Sequence, residues 1–164
     1  MDHSQAIEIF KEIQARPYQV STEYDVPANN CYFKGIELMQ KLAVLGYTVR
    51  GRIAETYWDD KVIPKEILSL TPKDYEVTHI VTEIEIDGEW RFLDPSYQLD
   101  LGKHGLTTGS WENGQSCFPI TKLFSQEESI TYQKLWSGED KIKAYFKNCF
   151  DFHTALNKWF ASRT

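Results

Sequence analysis

Apolar residues recur along this chain with two different periods, and the alternation between them outlines an α+β protein. Ala6, Ile9 or Phe10, and Ile13 recur at helical spacing and predict a first helix over 4–15, stopped by Pro17. A second helical stretch opens at Cys31. Pro27 keeps the backbone ahead of it extended, and Asn29 or Asn30 can cap the first turn. Phe33, Ile36, Met39 or Gln40, Ala43 and Leu45 give it an apolar stripe, and Gly46 supplies a left-handed stop. From 47 to 58 the period becomes two, as in a strand. Residues 59–77 read as a connection with one helical turn at 64–69.

Residues 78–86 form the clearest strand, followed by Asp87-Gly88 and a second alternating run from Glu89 to Pro95. Two such runs around Asp-Gly predict a hairpin with a two-residue turn. Its register puts Ile86 opposite Glu89, Val81 opposite Asp94 and His79 opposite Ser96. His79 and Asp94 then share a face as diagonal neighbours, about 7–8 Å apart at Cα. A slip of one residue would send them to opposite faces. Pro95 cannot donate to a ladder and should end the pairing.

Beyond Pro95, Asn113-Gly114 predicts a second hairpin, with short strands near 107–111 and 115–121. Helical character returns after Ser125. Ser137-Gly-Glu-Asp140 reads as a capping box opening a long amphipathic helix. Its stripe (Ile142, Tyr145, Phe146, Cys149, Phe152 or His153, Leu156, Trp159, Phe160) reads as core. Cys149 and His153 read as packing within it, His104 as a loop histidine, and Cys117 as a buried strand thiol.

Composition narrows the function. The chain has 164 residues, 41% of them hydrophobic, enough for one domain (1–164) with a core of its own. A net charge of −6 argues against nucleic acid or an anionic membrane as the main partner. No apolar run is long enough to span a bilayer, and the polar N-terminus does not read as a signal peptide. Three cysteines without metal-type spacing suit a reducing, cytoplasmic setting better than a disulfide framework or a zinc site.

Against that background Cys31 stands out. Unpaired N–H groups and the helix dipole at a helix start favour negative charge, and the thiolate is the nucleophilic form of cysteine. Cys31 as nucleophile, His79 as general base and then acid, and Asp94 as the group that orients the imidazole would make a catalytic triad. The backbone N–H of Cys31, with Gln19 or Asn30 as a second donor, would serve the oxyanion. Trp58, Trp90 and Trp111 would line a groove or fill the core.

These residues resemble the transglutaminase-like superfamily of cysteine enzymes, which belongs with the papain-like fold. The first block of that pattern is Cys31, Gly35, Gly46 and Arg50. The second is His79, Glu83, Gly88-Glu-Trp90 and Asp94-Pro95. The likeness covers residues 28–97. Asn29 stands where the family often has glycine, and Ile80-Val81 where it often has Ala-Trp. The resemblance implies a nucleophile helix packed on an antiparallel sheet, and acyl transfer from an amide through a thioester. Hydrolysis of a peptide or side-chain amide stands ahead of cross-linking. It requires no cofactor, and its partner is a peptide or protein substrate. The competing expectation is an inactive member that uses the same groove to bind peptides or proteins.

Overall fold

The Asp87-Gly88 pair sits where a two-residue turn needs it. Both residues have positive φ, 54° and 82°, which glycine adopts at no steric cost and aspartate tolerates. In the computed structural model, which describes residues 3–24, 26–136 and 138–163, this turn joins β2 (Thr78–Ile86) to β3 (Glu89–Leu93). The register runs from Ile86 opposite Glu89 to Thr82 opposite Leu93, as the turn dictates. Pairing ends at Leu93, so Val81–Asp94 and His79–Ser96 are not ladder pairs. Pro95 has no N–H, and the N–H of Ser96 turns back to the Asp94 carboxylate, which pulls the chain out of the strand.

β1 (Val49–Thr56) pairs with the other edge of β2, and β4 (Ile120–Leu123) pairs with β1. The result is an antiparallel sheet in the order β3-β2-β1-β4. Two helices cover it, α1 (Ser4–Ala15) and α2 (Cys31–Val44). Ala6, Phe10 and Ile13 of α1 meet Leu38 and Leu42 of α2 and Ile84, Ile86 and Leu93 of the sheet in one buried cluster.

The apolar stripe of α2 is rotated from the one its sequence suggests. Lys34, Gly35, Leu38 and Leu42 are buried, whereas Phe33 and Ala43 are exposed. The reason is the fit at Gly35. A Cβ there would lie 3.2 Å from Thr82 Oγ1 and 3.3 Å from Ile80 Cγ2, so the helix rests on β2 through its smallest residue.

Residues 107–111 and 115–121 do not pair as a hairpin. Residues 107–110 are not in a strand, and β4 begins only at Ile120 and pairs with β1. Side chains take over the bonding there: Asn113 Oδ1 accepts from the N–H groups of Ser110 and Gln115. A short helix, α3 (Lys65–Leu68), and a 3₁₀ turn (Leu99–His104) punctuate the connections.

α4 (Gln126–Leu135) starts at a capping box between Ser125 and Glu128. The box expected at Ser137 involves a residue outside the described set. The final helix, α5 (Glu139–Ala161), buries Cys149, Phe152, His153, Leu156, Trp159 and Phe160. Of these, Phe152, Leu156, Trp159 and Phe160 form a second core cluster with Tyr18, Tyr97, Leu101 and Phe118. No helix among the described residues is long and apolar enough to cross a membrane.

Candidate active site

Cys31 is the first residue of α2. Asn30 caps the helix by accepting from the N–H of Phe33 at 3.0 Å, and its own Nδ2 donates to Ser21 Oγ at 2.9 Å. The cap fixes where the helix begins, and so which residue sits at its positive end. Cys31 is partly exposed, while Cys117 and Cys149 are buried.

His79 is buried near the start of β2. Its Nε2 donates to Asp94 Oδ2 at 2.6 Å. Its other ring nitrogen, Nδ1, is also buried and has no hydrogen-bond partner of ordinary geometry. The Cys31 side chain is close enough to bias the ring electrostatically. Burial opposes charge on His79, but the Asp94 carboxylate and the Cys31 sulfur outweigh it and hold the imidazolium well above the usual histidine range. Phe118 packs on the ring, with centroids 4.4 Å apart, and keeps that side dry.

Asp94 is held on both oxygens. Oδ1 accepts from the N–H of Ser96 at 3.1 Å and from Ser96 Oγ at 2.5 Å. Oδ2 takes His79, Ser116 Oγ at 3.2 Å and the N–H of Cys117 at 2.6 Å. Burial would raise this carboxyl, but His79 and these donors overcome it, and Asp94 is held low and ionised. Cys117 is buried as expected but lies in a bend, not a strand, and its contribution is a main-chain donor. Nothing in side-chain chemistry announces Cys117; only the folded position of its N–H does.

Lys34, one turn after Cys31, was not distinguished by sequence and is almost wholly enclosed. Its ammonium donates to the carbonyls of Arg16 (2.5 Å), Ser96 (2.9 Å) and Gln14 (3.4 Å). Burial lowers it to about 8.

Cys31 and His79 open onto one pocket of about 430 Å³, within the usual range for small-molecule sites. Asn30 lines it, but Gln19 does not. Gln19 borders a neighbouring cleft with Asn29 and Pro27, because its backbone pairs with Asn29. None of Trp58, Trp90 and Trp111 reaches the pocket. Trp58 and Trp111 pack against the cores. Trp90 stacks under Arg50, whose guanidinium carbon lies 3.8 Å from the ring centroid and whose Nε pairs with Glu83. Arg50, Glu83 and Trp90 therefore brace the sheet away from the pocket. The aromatic wall comes from Trp136 of the α4–α5 connection, Tyr132 of α4, and Tyr145 and Phe146 of α5. The upper part of the α5 stripe thus lines a pocket, and only its lower part is core.

Among the described residues no group of three or more His, Cys, Asp or Glu is placed to hold a metal ion. Comparison of the chain with protein-family models, with curated proteins and with solved structures finds no match.

Proposed function

We propose that this protein is a cysteine-dependent acyl transferase acting on an amide, with a transglutaminase-like, papain-like core. One observation carries the reading. His79 spends one nitrogen on a buried carboxylate and keeps the other buried, without a partner of ordinary geometry, while the Cys31 side chain at the same pocket wall is near enough to act on the ring. An unpaired buried ring nitrogen is costly unless a reacting group uses it.

In this reading His79 holds a proton on Nδ1 beside Cys31, whose sulfur is the thiolate of the pair, and the thiolate attacks the amide carbonyl. The backbone N–H of Cys31 at the helix N-terminus is a donor for the developing oxyanion, and Asn30 Nδ2 is a nearby second. As the C–N bond breaks, His79 gives this proton to the leaving nitrogen, which departs as an amine or as ammonia. The acyl group stays on Cys31 as a thioester. Water then gives a proton to Nδ1 and attacks, the C–S bond breaks, and the acid leaves with the thiolate restored beside the imidazolium. An amine in place of water would give a new amide. Asp94 stays ionised throughout and fixes the ring. No cofactor enters the scheme. The substrate is a peptide or protein, and the thiol chemistry suits a reducing cytoplasm.

The test is mass spectrometry of the protein after incubation with a peptide library. An acyl adduct confined to Cys31, lost in Cys31→Ala and reduced about 10³–10⁴-fold in rate by Asp94→Asn, supports it. Peptides retained without any adduct or turnover would make the protein a binding module instead.

A further inference from the structure

Only the lower part of the long stripe on α5 is covered by the core. Its upper part, Ile142, Tyr145 and Phe146, is half-buried and turned to the pocket that holds Cys31. Tyr132 lies in the last turn of α4, and Trp136 is the residue that caps that helix, four residues on. The rings form an unbroken chain. Tyr132 to Trp136 is 6.2 Å between centroids, Trp136 to Tyr145 is 5.3 Å edge-on, and Tyr145 to Phe146 is 5.5 Å edge-on. Lys141 sits 4.6 Å from the Trp136 ring centre and props it in place.

Such a wall leaves large apolar faces towards a cavity of about 430 Å³. Among the described residues the pocket lining includes no lysine or arginine; its one cation is His79, already paired with Asp94, and its one carboxylate is Glu76, on the exposed rim. An acidic group entering here would meet an apolar wall and a like charge. A flat apolar group would bury its area against three rings.

Resting on the acyl-transfer reading, we propose that the substrate presents a bulky neutral apolar side chain, aromatic above all, next to the reacting amide, and that the Tyr132–Trp136–Tyr145 wall selects it. Acidic and small side chains are discriminated against at this position.

The probes are N-acetyl-X-N-methylamides with X as Trp, Phe, Leu, Ala, Gln or Asp. The readouts are protection of Cys31 from iodoacetamide and perturbation of the Trp136 indole N–H resonance. The Trp and Phe compounds should protect and perturb at concentrations about tenfold or more below those needed with Ala or Gln, and Asp should do neither. Tyr145→Ala and Trp136→Ala should erase the difference, Trp136→Phe should keep most of it, and Trp90→Ala, away from the pocket, should keep all of it. Equal effects across the series, or a preference for Asp or Gln, overturns the inference. Aromatic preference with no acyl adduct on Cys31 would sink the catalytic reading alone and leave the pocket assignment standing.

Discussion

The Lys34 ammonium donates to the Ser96 carbonyl at 2.9 Å, and this bond ties the first turn of the Cys31 helix to the loop that cradles Asp94. Ser96 uses its N–H and hydroxyl on the carboxylate and its carbonyl on the lysine. Cys31, at the head of that helix, and Asp94 are thereby tied together through Lys34 and Ser96.

Lys34→Met removes the ammonium that the carbonyls of Gln14, Arg16 and Ser96 share and leaves them without that donor. The expected cost is about 1–3 kcal/mol in unfolding free energy, with slower Cys31 alkylation in the fraction that stays folded. Chemical denaturation and iodoacetamide labelling measure the two effects. A stable variant with unchanged labelling would deny Lys34 its anchoring part.

The His79–Asp94 pair gives stability a definite pH dependence. His79 is raised, so the stability it supplies is complete below the ordinary imidazole value and is lost as pH climbs through the raised one. Asp94 is lowered, so its share is present above the ordinary carboxylate value and is lost as pH falls below it. Lys34 acts in the opposite sense to His79 between about 8 and 10.5, where the unfolded chain holds the proton that the folded one has released. The pair is therefore read as a difference. The stability gap between the parent and Asp94→Asn should be widest near neutral pH and narrow on both sides in denaturant titrations. A constant gap would contradict the charged pair.

Gly109 supports Asp94 from behind. A Cβ at Gly109 would stand 2.3 Å from the Asp94 carbonyl oxygen, a contact that only backbone movement could relieve. Gly109→Ala should cost about 1–3 kcal/mol and slow Cys31 alkylation by displacing Asp94. Gly88→Ala is the control. It has φ +82° and open space around it, so it should cost about 1–2 kcal/mol of strain and leave alkylation unchanged. Thermal melts and labelling rates separate the two.

Local rules made parts of this fold readable. Asp87-Gly88 set the hairpin register, and with it the neighbourhood of His79 and Asp94. An asparagine cap placed Cys31 at a helix start. Main-chain partners were not readable. Lys34 counts as a surface residue in any apolar pattern, and only the assembled carbonyls of Gln14, Arg16 and Ser96 make it a core residue. The phase of the α2 stripe follows from that burial and from the contact of Gly35 with Thr82 and Ile80, neither of which an apolar pattern encodes. The Asp94 cradle rests on the N–H of Cys117, and the hairpin expected around Asn113-Gly114 gave way to side-chain bonding from Asn113. The α5 stripe had the right period, but period does not say whether a ring faces a core or a cavity.

The central claim is that His79 acts on Cys31, and the rate of iodoacetamide alkylation near neutral pH tests it most directly. Cys31 should react far faster than the buried Cys117 and Cys149, and His79→Ala should slow it at least about tenfold in a protein that keeps its fold by circular dichroism. Equal rates in the parent and His79→Ala would contradict the account.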